Sequence, residues 1–222
     1  MRTHLPAAAA TLGAALLLTA CGSSPLDGKT GQEVADAAAA ALEEAGSVDV
    51  TGTMSTQGQE GEVDLHLQGD DAIGTLTLAG SEIQLLNVDG TAYLQAPPDF
   101  WSSFGLPAEA AAQFEGRWVI VPAEVGAAFS EFSLAGFVDE LRNPDGEVKD
   151  DVTEGEVDGE DVVVVEQEDG SSLKVANSDP TVPLELTNNG DSSGTVTFSG
   201  FGETEDITAP ADALDLTEVM GG

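Results

Sequence analysis

The chain of 222 residues offers few side chains for covalent or acid–base chemistry: one cysteine, two histidines and six lysines or arginines against 41 aspartates and glutamates. His4 belongs to the N-terminal segment, which leaves His66, in "VDLHLQG". Strand alternation puts His66 opposite Val63, Leu65 and Leu67, so its imidazole is expected to face water. A single internal His and a single Cys do not supply a zinc cluster or a thiol–imidazole pair. Ser199, in "FSGFG", lacks the preceding glycine of a nucleophile elbow, and no GxGxxG or Walker sequence occurs. A carboxylate pair for glycoside hydrolysis can be drawn from so many acids at will, and for that reason carries no weight. "NPDGEVKDD", Asn143 to Asp151, lacks the ligand spacing and the final Glu of a calcium loop. No catalytic residue, metal or cofactor is expected.

Cys21 has a different chemistry. Met1-Arg2-Thr3-His4 is followed by an apolar run from Leu5 to Ala20, broken by Pro6, Thr11, Gly13 and Thr19. That is the length of a secretory signal and too short for a comfortable membrane span. Leu18-Thr19-Ala20-Cys21 looks like the lipobox of bacterial lipoproteins, in which the thiol receives a diacylglyceryl group and the signal is cut before the Cys. An ordinary cleavage site beside a chance cysteine is the alternative, but the lone Cys falls at the one position the motif requires. Residues 1–20 are thus read as a signal peptide and Cys21 as the lipid attachment site, on the extracytoplasmic face of the cell membrane. Two or more acyl chains anchor stably, where one alone does not. Gly22 to Gly31, "GSSPLDGKTG", completes a flexible linker over residues 21–31 that at full stretch spans ~33 Å.

The formal net charge of −35 repels nucleic acid and anionic headgroups and attracts only basic or cationic partners. Solvation of an exported surface is the plainer reading of the same charge. Residues 32–222 suffice for one domain with a real core.

The elements that must position any site follow from periodicity. Thr30 and Glu33 fit a capping box, Val34, Ala37, Ala38, Ala41, Leu42 and Ala45 share a helix face, and Gly46 is a C-terminal stop. The period then becomes two: Val48, Val50 and Met54; Val63, Leu65 and Leu67; Leu76 and Leu78; Ile83 and Leu85; and, after the Asp89-Gly90 turn, "TAYLQA". From about residue 97 to 142 the pattern is helical and aromatic-rich, holding Trp101, Phe104, Trp118 and Phe137, with "RWVIVP" as a short strand. An acidic, mobile stretch is expected around 145–156. Strands resume in "GEDVVVVEQEDGSSLKV", "TVPLELT" and "GTVTFSGFG", and a short helix is expected near Ala211 to Leu214. The sum is an α+β fold of about ten antiparallel strands with helices on one side.

The order of lipobox, linker, Ala-rich helix, "SVDVTG", "NVDGTAYLQAPPDFW", "GRWVIVP", helix and acidic hairpins resembles the LppX/LprAFG family of actinobacterial lipoproteins. The best match is "DGTAYLQAP", Asp89 to Pro97, with Trp118 about twenty residues later in a strand ending at Pro122. That family is similar in fold to the LolA-like periplasmic lipoprotein carriers. The resemblance implies a single strongly curved antiparallel sheet, a half-barrel whose concave face is covered by helices around a cavity for acyl chains. It also implies binding or movement of lipids and lipoglycans across the envelope.

On that reading the cavity is lined by Leu65, Leu67, Leu76, Leu78, Ile83, Leu85 and Tyr93 from the sheet and by Trp101, Phe104, Trp118 and Phe137 from the helical side. If the helices cover the sheet tightly, the same residues are simply core. The expected partners are a lipid or lipoglycan ligand, the membrane through acylated Cys21, and an envelope transporter or a basic protein. The alternative is a tethered interaction or sensor module with a solid core, docking a basic partner through its acidic surface.

Overall fold

Thr30 and Glu33 do start a helix. The Thr30 side chain accepts from the Glu33 N–H, Glu33 Oε2 accepts from the Thr30 N–H at 2.9 Å, and α1 (Gly31–Ala45) ends at Gly46, whose φ of 72° suits a residue without Cβ. Its buried face is Val34, Ala35, Ala38, Ala39 and Leu42, while Ala37, Ala41 and Ala45 are half-buried. The face is wider than the expected stripe because α1 is sandwiched between the sheet and a second helix, α5 (Leu134–Arg142).

The computed structural model describes residues 24–56, 58–129, 132–190 and 192–220. Cys21 and the preceding signal lie outside the described residues. Alternating apolar residues and short glycine-containing turns, the last of them Asp89-Gly90, give β1 (Ser47–Thr56), β2 (Gln59–Gln68), β3 (Asp71–Leu78), β4 (Ser81–Val88) and β5 (Thr91–Gln95). The helical segment contributes α2 (Pro98–Ser103), α3 (Ala108–Ala111), β6 (Val119–Ile120), α4 (Ala123–Gly126) and α5. A second meander follows: β7 (Thr153–Val157), β8 (Glu160–Glu166), β9 (Ser172–Ala176), β10 (Pro183–Asn189) and β11 (Ser192–Ser199). The tail forms β12 (Leu214–Asp215) and α6 (Leu216–Met220).

Among the described residues these strands make one curved, open sheet in the order β12-β6-β5-β4-β3-β2-β1-β11-β10-β9-β8-β7. It has twelve strands where about ten were expected, and β12 runs parallel to β6 while the other junctions are antiparallel. One addition is β7, inside the stretch expected to be mobile, where Thr153 to Val157 pair with Val164 to Glu160. The other is β12, where a helix was expected: Leu214 and Asp215 instead complete the edge beside Val119 and Ile120.

Register defines two rims. The first rim carries the turns at 46–47, 69–70 and 89–90 and the β9–β10 connection, with Ser47 opposite Gln68, Gln68 opposite Asp71 and Val88 opposite Thr91. The second carries the opposite turns, with Thr56 opposite Gln59, Leu78 opposite Ser81 and Asn189 opposite Ser193.

The concave face holds the main core, from Val48, Val50, Leu65, Leu67, Leu76 and Ile83 on strands to Val34, Leu42, Trp101, Phe114 and Leu141 on helices. The convex face is also apolar around Ile73, Leu86, Val88, Tyr93, Trp118 and Ile120. The chain leaving β11 crosses this outer face as a strap: the Gly202 N–H donates to Ser47 O at 3.1 Å, the Glu205 N–H to Gln68 Oε1 at 2.9 Å, and Ile207 and Ala213 pack on the apolar patch before β12.

Two expectations change as a result. His66 points away from the core as alternation requires, but it is 7% exposed because the convex face is covered there. Residues 24–30, expected as part of a flexible linker, are pinned at two points: Leu26 is 2% exposed and the Ser24 hydroxyl donates to Asn177 Oδ1, while Pro25, Asp27 and Gly28 are exposed.

Candidate functional site

Among the openings beside the helices that cover the concave face, two share a lining residue. The larger, about 630 Å³, lies between α5 and strands β1, β2, β10 and β11, on the side of the second rim. Met54, Val63, Phe132, Phe137, Leu186 and Val196 give it an apolar floor, and Asp139, Glu140, Asn143, Asp145, Asn188, Thr53 and Ser193 a polar lip. No Lys or Arg stands among its described lining residues. Arg142, on the same helix, is held at 2.5 Å by Glu43.

The smaller opening, about 410 Å³, lies where α4 and the turn Ala127–Phe129 cross β4 and β5 at the first rim. Leu85, Ala92, Val121 and Phe129 line it, with Asn87, Gly90 and Thr91 at its mouth, and Phe132 lines both openings. Phe132 is thus a wall common to the two openings, which lie toward opposite rims of the trough between sheet and helices.

α5 is positioned by its N-cap, where the Ser133 side chain accepts from the Gly136 N–H at 3.0 Å, and by Leu134, Val138 and Leu141 on its buried face. Phe137 leaves that face toward the larger opening and meets Phe198 edge-on at 5.5 Å.

The structure distributes the eleven residues predicted to line a cavity over three environments. Leu65, Leu67, Leu76, Ile83 and Trp101 are sealed core, and Leu78 packs half-buried against it. Trp101 donates from Nε1 to Ala96 O at 3.1 Å and lies 5.2 Å from Phe114. Leu85 and Phe137 each line an opening. Tyr93, Trp118 and Phe104 lie outside the trough. Leu94 pairs with Leu85 and Val119 on the inner face, which turns its neighbours Tyr93 and Trp118 onto the convex face. Phe104 ends α2 and is 55% exposed.

The floor residues Leu186 and Val196 carry the same alternation signal in "TVPLELT" and "GTVTF", but belong to the second meander, to which no cavity residue was assigned. Met54 continues the alternation of Val48 and Val50 on β1, whereas nothing local marks Phe132.

No family model matches this sequence, and no curated protein matches it. Among solved structures the chain is similar to LprF from Mycobacterium bovis, with a TM-score of 0.55 at 15% identity over 83% of this chain and 100% of that one. It is also similar to the Mycobacterium tuberculosis lipoprotein LppX, with a TM-score of 0.51 at 10% identity over 80% of this chain and 98% of that one. At these identities the likeness establishes a shared fold, the curved sheet with helices on its concave face that the sequence resemblance implied.

Proposed function

We propose that this chain is a cell-envelope lipoprotein, anchored through acylated Cys21, that binds the apolar part of a lipid in the trough between sheet and helices and carries or presents it. The observation that carries this reading is the pair of apolar-floored openings meeting at Phe132, in a fold shared with a lipoprotein. An opening of about 630 Å³ is within the range of small-molecule sites, and each acyl methylene it takes from water contributes about 0.8 kcal/mol. The ligand needs no charged partner in the protein to bind.

The test is native mass spectrometry of residues 22–222, exported without the acylated Cys from an actinobacterial host. Lipid-mass adducts that disappear in Val196→Trp and Leu186→Trp, with folding intact, support the reading. A clean apoprotein mass together with no binding of added lipids rejects it. The second reading, a tethered module with a solid core that docks a basic partner, is favoured by the sealing of Leu65, Leu67, Leu76 and Ile83. The same apoprotein result points to it.

A further inference from the structure

The geometry points to the first rim as the surface that faces the bilayer, and to the 410 Å³ opening on that rim as the portal by which acyl chains pass between membrane and trough. This rests on the reading that Cys21 is acylated. The structure leaves little tether between that residue and the folded domain. Ser24 is bonded to Asn177, next to the β9–β10 connection, and Leu26 is buried two residues later. Three residue steps separate Cys21 from Ser24, a reach of at most ~11 Å.

That reach begins at the first rim. Asn177 follows the end of β9, and its N–H donates to Asp161 O at 2.9 Å beside the start of β8. The second rim lies one strand length away, ~25 Å for a strand such as β3, more than twice the tether. Laying the domain on its side would press long acidic strands against headgroups, which its charge opposes.

The β4–β5 turn belongs to that rim, since Asn87 Nδ2 donates to Asp70 O at 3.1 Å and the Asp89 N–H to Asp71 Oδ1 at 3.0 Å. The smaller opening is therefore on the membrane side and the larger, acid-lipped one on the distal side. The portal is narrow, because α4 packs closely on β5 beside it: a Cβ on Gly126 would sit 3.2 Å from that of Ala92. A large side chain at Ala92 closes the gap without touching the distal opening.

The acylated protein is reconstituted in phosphatidylcholine vesicles containing nitroxide-labelled lipid, with a fluorophore on one introduced cysteine. Thr91→Cys and Ser178→Cys on the first rim are expected to be quenched several-fold more than Gln59→Cys and Ser81→Cys on the second. Inserting about 20 Gly/Ser residues before Ser24 is expected to erase the contrast. Equal or reversed quenching in the native tether overturns the orientation.

For the portal, Ala92→Phe in the anchored protein is expected to slow uptake of pyrene-labelled phosphatidylcholine from the same vesicles several-fold, while the soluble domain still binds that lipid from detergent micelles. Wild-type uptake by a folded Ala92→Phe protein overturns the portal. If the wild type binds the probe from neither source, the portal and the carrier reading both fail, and the quenching pattern alone decides the orientation.

Discussion

His66 Nδ1 lies 2.6 Å from Asp49 Oδ1, across the β1–β2 ladder at a position where the two residues are direct partners. A carboxylate oxygen can only accept, so Nδ1 carries the proton and the imidazole is held by one bond, its Nε2 buried without a partner. Removing Asp49 strips the ring of that bond, and a buried donor left unmade costs about 1–3 kcal/mol. Asp49→Ala is expected to lower stability by that order in urea unfolding. Asp49→Ala combined with His66→Leu is expected to recover most of it, and additivity in this double-mutant cycle would show that the pair is not coupled.

Two aromatics from the same short segment should differ sharply. Trp101→Ala removes a sealed indole and its hydrogen bond to Ala96, with an expected loss of about 3–5 kcal/mol. Phe104→Ser, on an exposed ring three residues later, is expected to change stability by about 0.5 kcal/mol or less. Thermal unfolding of the two variants side by side checks both values.

Leu76 faces the concave side but is fully sealed, so Leu76→Trp tests overpacking rather than ligand exclusion. Expected is a loss of about 1–3 kcal/mol whether or not lipid is present. Ligand loss without such destabilisation would place a cavity at β3 that the structure lacks.

Gly74 on β3 stands opposite Leu65 where the backbones approach closely, and a Cβ there would meet Asp64 O at 2.1 Å. Gly74→Ala must push two central strands apart. Far-UV circular dichroism on heating is expected to show an earlier transition than in the wild type, whereas Gly90→Ala, at an open turn, should cost only its positive-φ strain.

The acid limb of stability comes from hydrogen-bonded carboxylates. The Thr30 backbone and hydroxyl hold Glu33 below its ordinary 4.5, the Ser171 backbone and hydroxyl hold Asp169 below 3.8, and the Thr217 hydroxyl and backbone hold Asp215 below 3.8. A folded value below the unfolded one gives stability that is complete above the unfolded value and lost as pH falls through the folded one. Lys149, raised above 10.5 by its bond to Glu166, contributes below that value and loses its contribution as pH climbs past the raised one. A urea midpoint that is flat near neutrality and falls below about pH 4 is expected, with a shallower acid limb in Glu33→Gln.

Alternation, with the Asp89-Gly90 turn, makes β1 to β5 readable in the sequence, because each pairing is between sequence neighbours. What lies over each face was not readable, since it depends on chain far away. His66 was placed on the correct face, but period two is silent about the strap that covers it. A signal was present: Leu85 and Leu86 are adjacent, so β4 is apolar on both faces and needs two coverings. The trough was harder still, because its floor draws on both meanders and on Phe132, which no pattern marks. Tyr93 and Trp118 face outward because their chain neighbours Leu94 and Val119 pair with each other on the inner face.

The β1–β11 ladder joins two antiparallel meanders, β1 to β5 and β7 to β11, while the tail strand β12 returns to pair with β6 beside the first. Each half can zip locally and fast, but pairing Asp49 with Ser199 closes a loop of about 150 residues, so this seam forms late and limits the folding rate. Until it forms, β1 and β11 are both unpaired edges of compatible register, and a second chain can fill either one. Refolding at high concentration is therefore the condition under which strand-exchanged dimers accumulate, each trough assembled from the first half of one molecule and the second half of another.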